Sequence, residues 1–490
     1  MALLHNGRES GGEPTGRGGR TLLAAGALAI ALGLGAMVVL DVRHGTLREG
    51  VVPQTIAWWG LAFVGFAVAI IGNERWRVPT RWLWVAAIVF RLLMLSTSPT
   101  LSDDVYRYLW DGHLVAEGVN PYAFAIDDPQ GDPYEIPARA LANNRTLSSP
   151  YLPTVHAVFG AAAATLPSEP IVVQSIMVIF DLVTAFLLAK LLAIAGLPAR
   201  RLLLYLWNPL VIVEVAHSAH LDALMIMLSV AALVLTYGDR PGGLAGAAAT
   251  IGAPVLLAFA TLTRFLPVLF LPVIFWRWSW LQRVIYAATC AAMVVPFGLG
   301  AGFGVAGEPT GTGVFGSARA YSDTFRFNSG IYHWLERWVS SQGLDSEGWN
   351  EPIQLTKLIV VATFGVAVLW VWFRARCVTD GRVAIRLMAV PFGGYVLLAP
   401  VMHPWYLLSF LTLLIFVMPG FDEPVTRWVL GAPWFYLTVT MILSYLTYED
   451  PTAFAERAWV RSVEWMPTFA LLVLAAVLWA RMRDRSPVPS

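Results

Sequence analysis

The run Ser102-Asp103-Asp104-Val105-Tyr106-Arg107-Tyr108-Leu109-Trp110-Asp111-Gly112 sets adjacent carboxylates, a guanidinium and several aromatic rings within one short stretch. A carboxylate can take the proton of an attacking hydroxyl. A guanidinium can hold a phosphate through paired hydrogen bonds. Aromatic rings can stack on a pyranose. The set suits chemistry on a sugar at a bilayer surface. Ser102 suits an N-cap, and acids in a first turn suit the helix dipole. At helical spacing Asp104, Arg107, Tyr108 and Asp111 share one face. The helix is predicted to end near Gly118, before the turn Val119-Asn120-Pro121-Tyr122. A capped helix with a solvated acidic face explains the same residues, and the run alone does not separate the two readings.

Other polar groups stand out against apolar surroundings. Glu214, His217, His220 and Asp222 cluster around a predicted helix end. They could line a cavity, join helices as a polar network, or ligate a divalent metal. Cavity lining is preferred, because ionisable groups at membrane depth usually face the bundle interior or water; a metal is not favoured. Arg264 precedes a short helix broken at Pro267 and Pro272, where it can snorkel or grip a phosphate. Arg326 has a similar choice. His403-Pro404-Trp405-Tyr406 caps a hairpin between two predicted spans. An interfacial aromatic belt accounts for Trp405, but His403 fits a phosphate or hydroxyl partner better. Arg91 and Asp181 lie inside predicted spans and are expected to pair.

These residues must be positioned by an unusually apolar chain. Of 490 residues, 57% are hydrophobic and 13% charged, about half the usual charged share of a soluble protein. That excludes a soluble multidomain fold, disorder and a coiled coil. A net charge of +1 excludes an electrostatic footprint for nucleic acid. Two cysteines, Cys290 and Cys377, make no disulfide framework. The chain reads as an all-α polytopic membrane protein whose partner is the lipid bilayer. About 20 apolar residues make a span. Candidates are 21–40, 53–72, 82–98, 171–194, 200–216, 221–237, 242–260, 281–299, 354–375, 383–401, 404–420, 428–446 and 463–480, with a shorter one at 263–277. The expectation is about 13–14 transmembrane helices. Residues 150–166 are taken as a lateral or re-entrant helix.

Arginine placement sets the orientation. With the N-terminus inside, Arg75/Arg77/Arg81, Arg200/Arg201, Arg240, Arg277/Arg283, Arg374/Arg376/Arg382, Arg427 and Arg481/Arg483/Arg485 all fall inside. Both termini are then cytoplasmic. Residues 1–20 form a disordered tail, 21–482 one transmembrane domain, and 483–490 a second tail. Loops 99–149 and 300–352 face outward, the first with eight Asp/Glu against three Arg.

The first loop, Ser-Asp-Asp-Val-Tyr-Arg-Tyr-Leu-Trp-Asp-Gly followed by Gly-Val-Asn-Pro-Tyr, resembles that of the GT-C glycosyltransferases. More narrowly it resembles bacterial polyprenyl-phosphate-mannose-dependent mannosyltransferases, including the α-1,6-mannosyltransferases of actinobacterial cell envelopes. Asn208-Pro209-Leu210 and His220-Leu221-Asp222-Ala223-Leu224 resemble two further motifs of those enzymes, with Ala219 in place of a glycine and Leu221 in place of an asparagine. Arg264-Phe265-Leu266-Pro267, Phe325-Arg326-Phe327-Asn328 and His403-Pro404-Trp405-Tyr406-Leu407 resemble three more.

The resemblance implies the GT-C fold, an extracytoplasmic site in a bacterial plasma membrane, and Asp104 as catalytic base with Asp103 second. It implies transfer of a hexose, mannose above others, from a polyprenyl-phosphate donor to a glycolipid or envelope-glycan acceptor, with no cofactor. Arg107, Tyr108, Asp111, His217, His220, Asp222, Arg264, Arg326, Asn328, His403, Trp405 and Tyr406 are the expected donor- and acceptor-binding residues. The alternative is a transporter or flippase of a lipid-linked sugar. That activity calls for polar residues along a path to the cytoplasmic side, whereas here they cluster at one predicted face.

Overall fold

A computed structural model describes residues 16–484, apart from 77, 240–241, 306–310, 343–351, 419–428, 430 and 451–454. Most of the predicted tails, 1–20 and 483–490, therefore lies outside the described residues, and the first helix already begins at Gly16. In chain order the longer helices are α1 (Gly16–His44), α2 (Val52–Trp76), α3 (Thr80–Leu95), α4 (Asp104–Ala116), α5 (Pro153–Thr165), α6 (Pro170–Ile194), α7 (Asp222–Tyr237) and α8 (Gly243–Thr261). They continue as α9 (Trp280–Ala301), α10 (Gly316–Thr324), α11 (Ile331–Ser341), α12 (Pro352–Ala375), α13 (Gly381–Leu398), α14 (Leu408–Val417), α15 (Ala432–Thr440) and α16 (Ala458–Asp484). Among the described residues there is no β-strand, only a single bridge between Phe327 and Val401. The protein is an all-α polytopic membrane protein.

Seven of these helices, α1, α2, α6, α9, α12, α13 and α16, are long and apolar enough to cross a bilayer. Among the described residues α3, α14 and α15 are shorter than a full span, and 200–237 and 263–277 are broken into short pieces. Residues 200–237, predicted as two straight spans, form pieces that turn through 117° between Pro209–His217 and α7. The cause is local. Pro209 cannot continue a hydrogen-bonded helix, and the Asn208 side chain accepts from the Leu210 N–H at 3.0 Å to start a new one. A π-helical turn follows at Val213–His217. Ala219 then adopts a left-handed φ of 57°, the position where the related motif carries glycine, the residue that suits it best. Such irregular backbone is tolerated at membrane depth only where protein surrounds it, and Leu210 through Asp222 are all buried.

Two other features hold the bundle. A Cβ on Gly26 of α1 would lie 2.5 Å from the Gly65 carbonyl of α2, so small residues let these two backbones touch. Arg91 and Asp181 form the expected buried ion pair. Tyr205 also donates to Asp181 at 2.7 Å, and the Arg91 guanidinium donates to the Leu206 carbonyl at 2.8 Å.

The acidic loop is a folded cap. Within residues 150–166, α5 starts with Pro153 in its first turn and is 13 residues long, too short for a full span. It packs so tightly on α4 that a Cβ on Gly112 would lie 2.7 Å from the Phe159 carbonyl. Trp110, Leu114, Phe124, Ile126 and Ala142 make a small core of their own. The two polar loops meet: Ser148 N–H donates to Gly311 at 2.9 Å, Gly313 N–H to Tyr122 at 3.0 Å, and the Ser317 hydroxyl to Ser148 at 2.8 Å. The predicted turn ties this cap to α9 through Asn120, whose amide donates to the Phe297 carbonyl at 2.9 Å.

Candidate active site

A cavity of about 720 Å³ opens between the cap, the broken helices and α10. The first turn of α4 contributes Asp103 and Asp104; the segment after α8 contributes Arg264; the hairpin before α14 contributes His403, Trp405 and Tyr406. Phe265, Leu266, Val268 and Leu269 give one wall an apolar surface, and Phe265 and Val268 are 51% and 39% exposed.

The two neighbouring carboxylates differ. Asp103 is held by Arg48, whose guanidinium donates to it at 3.0 Å. Asp104 instead accepts from the Asn143 amide at 2.7 Å, and its second oxygen lies 3.8 Å from His220 Nδ1. Burial pushes the Asp104 carboxyl above the usual aspartate range, while the Asn143 hydrogen bond and the Arg264 charge pull it back down. Asp104 is therefore a carboxylate of raised basicity facing open space.

Across the cavity Arg264 lies 3.6 Å from Asp222 and 4.8 Å above the Tyr406 ring. His220, Trp405, His403 and Phe327 form a continuous stack, with successive ring centroids 3.9, 4.2 and 4.4 Å apart. His403 Nδ1 and the Trp405 indole nitrogen are buried without a hydrogen-bond partner among the described residues. Both residues line the cavity, and a buried polar group without a partner is costly.

Several expected binding residues lie elsewhere. Arg107 is buried and donates to Asp111 at 3.1 Å and to the Leu147 carbonyl at 3.1 Å, so it pins the cap to α4 and does not face the cavity. The Ser149 hydroxyl donates to Asp111 at 2.5 Å, completing the same internal network. Tyr108 is enclosed between Phe159 and Tyr151, at centroid distances of 5.1 and 4.9 Å. His217 accepts the Leu101 N–H at 3.3 Å and meets the Thr97 hydroxyl at 2.7 Å, so both ring nitrogens are used in holding the α3–α4 connection. Arg326 donates to its neighbouring Phe325 carbonyl at 2.6 Å and lies 3.5 Å from Glu336. Asn328, left-handed at φ 45°, donates to the buried Glu464 of α16 at 2.6 Å. None of these six lines the cavity. Among the described residues no group of three or more His, Cys, Asp or Glu side chains is disposed to hold a metal.

Arg48 and Asn143 were missed. Arg48 had a signal: it lies in a short connection between two apolar helices, on the face that the arginine distribution predicts to be the outer one. Asn143 had none, because only the folded cap brings it to Asp104.

An all-α membrane bundle with an acidic, arginine-lined cavity beneath a folded loop cap fits a polytopic glycosyltransferase, and the comparisons with known proteins agree. The family described as "Alpha-(1->6)-mannopyranosyltransferase, N-terminal domain" matches residues 14–280, more than half of the chain. The chain belongs to this family and is a membrane mannosyltransferase of the GT-C type. Alpha-(1->6)-mannopyranosyltransferase A of Mycobacterium tuberculosis (strain ATCC 25618 / H37Rv) is 24% identical over 448 residues, covering 82% of this chain and 79% of that protein. No solved structure matches.

Proposed function

We propose that the protein transfers mannose from a polyprenyl-phosphate donor to a hydroxyl of a glycolipid or envelope-glycan acceptor. The name of the mycobacterial relative supports an α-(1→6) linkage. The site would face the extracytoplasmic side of a bacterial plasma membrane with both termini cytoplasmic, as the arginine distribution predicts. Asp104 takes the proton of the acceptor hydroxyl as its oxygen attacks the anomeric carbon. The bond from that carbon to the phosphate oxygen breaks, and the lipid phosphate departs with the charge. Arg264, with His403 and Trp405, receives that developing charge, where preorganised donors lower a barrier most. The isoprenoid lies along the apolar wall at Phe265–Leu269. No cofactor enters these steps.

The observation that carries the reading is the division of labour between the two carboxylates. Arg48 occupies Asp103, whereas Asp104 lines the same cavity as Arg264 and as His403, whose Nδ1 has no hydrogen-bond partner among the described residues. The test is Asp104→Asn, assayed with a synthetic polyprenyl-phosphate mannose and a mannoside acceptor. General-base catalysis contributes typically 10²- to 10⁴-fold, so a loss of about that size is expected with donor binding retained. Transfer at the wild-type rate by a folded variant would sink the base assignment.

A further inference from the structure

His220 and Glu214 have no role in the steps above, yet both are fully buried beside the site. They sit where the chain is most irregular, on the π-helical turn and just after the left-handed Ala219. His220 Nε2 lies 3.3 Å from Glu214, and Nδ1 lies 3.8 Å from Asp104. The Tyr445 hydroxyl donates to Glu214 at 3.0 Å. His217, three residues earlier, provides the contrast. Its nitrogens are used up by Thr97 and Leu101, as in an ordinary core histidine. Neither nitrogen of His220 finds a full hydrogen bond among the described residues; each faces a carboxyl group instead. Its ring is fixed by stacking on Trp405, a wall of the cavity.

We propose that His220 is a positioning residue for Asp104: Nδ1–H is donated to the Asp104 carboxylate, and Glu214 fixes the tautomer from the other side. For Nδ1 to donate, the neutral ring must accept at Nε2, so Glu214 carries the proton of that contact. The 3.8 Å separation is loose, as such pairs are before substrate closes a site. The titratable and charged groups facing His220 from neighbouring elements are Asp104, Glu214, Arg264, His403 and His217. Asp104 also meets Arg264, Asp103, Arg107 and Asp222. Burial, and after it the Arg264 charge, disfavours a charged imidazole, in keeping with a neutral donor.

The inference rests on Asp104 acting as base, but its test can be read independently. The carboxyl stretch of Asp104, assigned by its loss in Asp104→Asn, is followed against pH by infrared difference spectroscopy on the intact protein. His220→Phe keeps the stack and removes the donor; its titration midpoint is expected to rise by about one unit. His220→Asn restores an N–H near the Nδ1 position, and its midpoint is expected to return toward wild type. In the transfer assay His220→Phe should lose about ten- to a hundredfold in kcat with donor KM little changed. Glu214→Leu should cost less, and should cost nothing further when added to His220→Phe. An unmoved midpoint in His220→Phe, or fully additive losses, overturns the inference. Wild-type transfer by Asp104→Asn would instead overturn the base assignment and leave the titration result standing.

Discussion

Asn143→Ala isolates one contribution to the reactivity of Asp104. The Asn143 amide donates to the carboxylate at 2.7 Å. The backbone carbonyl of Asn143, which receives Arg107 at 3.5 Å, survives the substitution. A hydrogen bond to a charged group contributes about 1.5–3 kcal/mol. The Asp104 side chain keeps 17% of its exposure, so water can partly replace the lost donor and the low end applies. About 1.4 kcal/mol corresponds to one pH unit. The Asp104 carboxyl is already above its ordinary range through burial, and the variant should raise it by about one unit more. A base works only when deprotonated, so transfer falls as pH drops through this value. The acid limb of kcat/KM should therefore move upward by about one unit in Asn143→Ala, with the rate on the high-pH plateau little affected. The stability consequence has a fixed sign. A carboxyl whose folded pKa is raised favours the folded state most below the unfolded value, and loses that contribution as pH rises through the folded value. Asn143→Ala should enlarge the loss on the alkaline side. Measuring kcat/KM from acid to neutral pH decides the matter: an acid limb coincident with wild type would refute the account of how Asp104 is tuned.

Three further outcomes are expected. Arg264→Lys keeps the charge but loses the planar fork over Tyr406, so donor KM should rise, by about tenfold, in steady-state transfer assays. Arg107→Ala leaves Asp111 buried without its cation; about 3 kcal/mol of stability should be lost, seen as a lowered unfolding midpoint in detergent, with donor KM unchanged in what remains folded. Gly112→Ala drives a methyl into the Phe159 carbonyl and should cost about 1–3 kcal/mol, with activity falling in parallel because α4 carries Asp104.

What the sequence revealed follows from the range of each interaction. The long apolar helices, the short α5 and the Arg91–Asp181 pair were legible, because hydropathy and the rarity of buried charge are local signals. The end of α4 near Gly118 was legible from the turn residues; Gly118 takes φ 76°. The breaks at Asn208-Pro209 and Ala219 were not read from apolar content, which sums over a window and is blind to a π-helical turn. Arg107 and Asp111 stand four apart on a helix, the spacing of an internal ion pair, yet were read as ligand contacts. Asn328 finds Glu464 across 136 residues of chain, and no spacing rule announces a partner so distant. Asp104, Arg264, His403 and Trp405 line one cavity although they come from three separate segments of the chain.

The latch between the two polar loops sets the order in which the protein fails on heating. Ser148 and Gly311, and Gly313 and Tyr122, are each joined by one backbone hydrogen bond, and Ser317 and Ser148 by a hydroxyl–carbonyl and a hydroxyl–hydroxyl contact, each contributing about 1 kcal/mol. The helices beneath are joined by extensive apolar burial. Warming should thus detach the roof of the cavity while the bundle keeps its helicity. Inactivation would then precede the circular-dichroism transition and reverse on cooling. Covalently stapling the two loops would raise the temperature at which turnover is lost, with no change in the melting of the bundle.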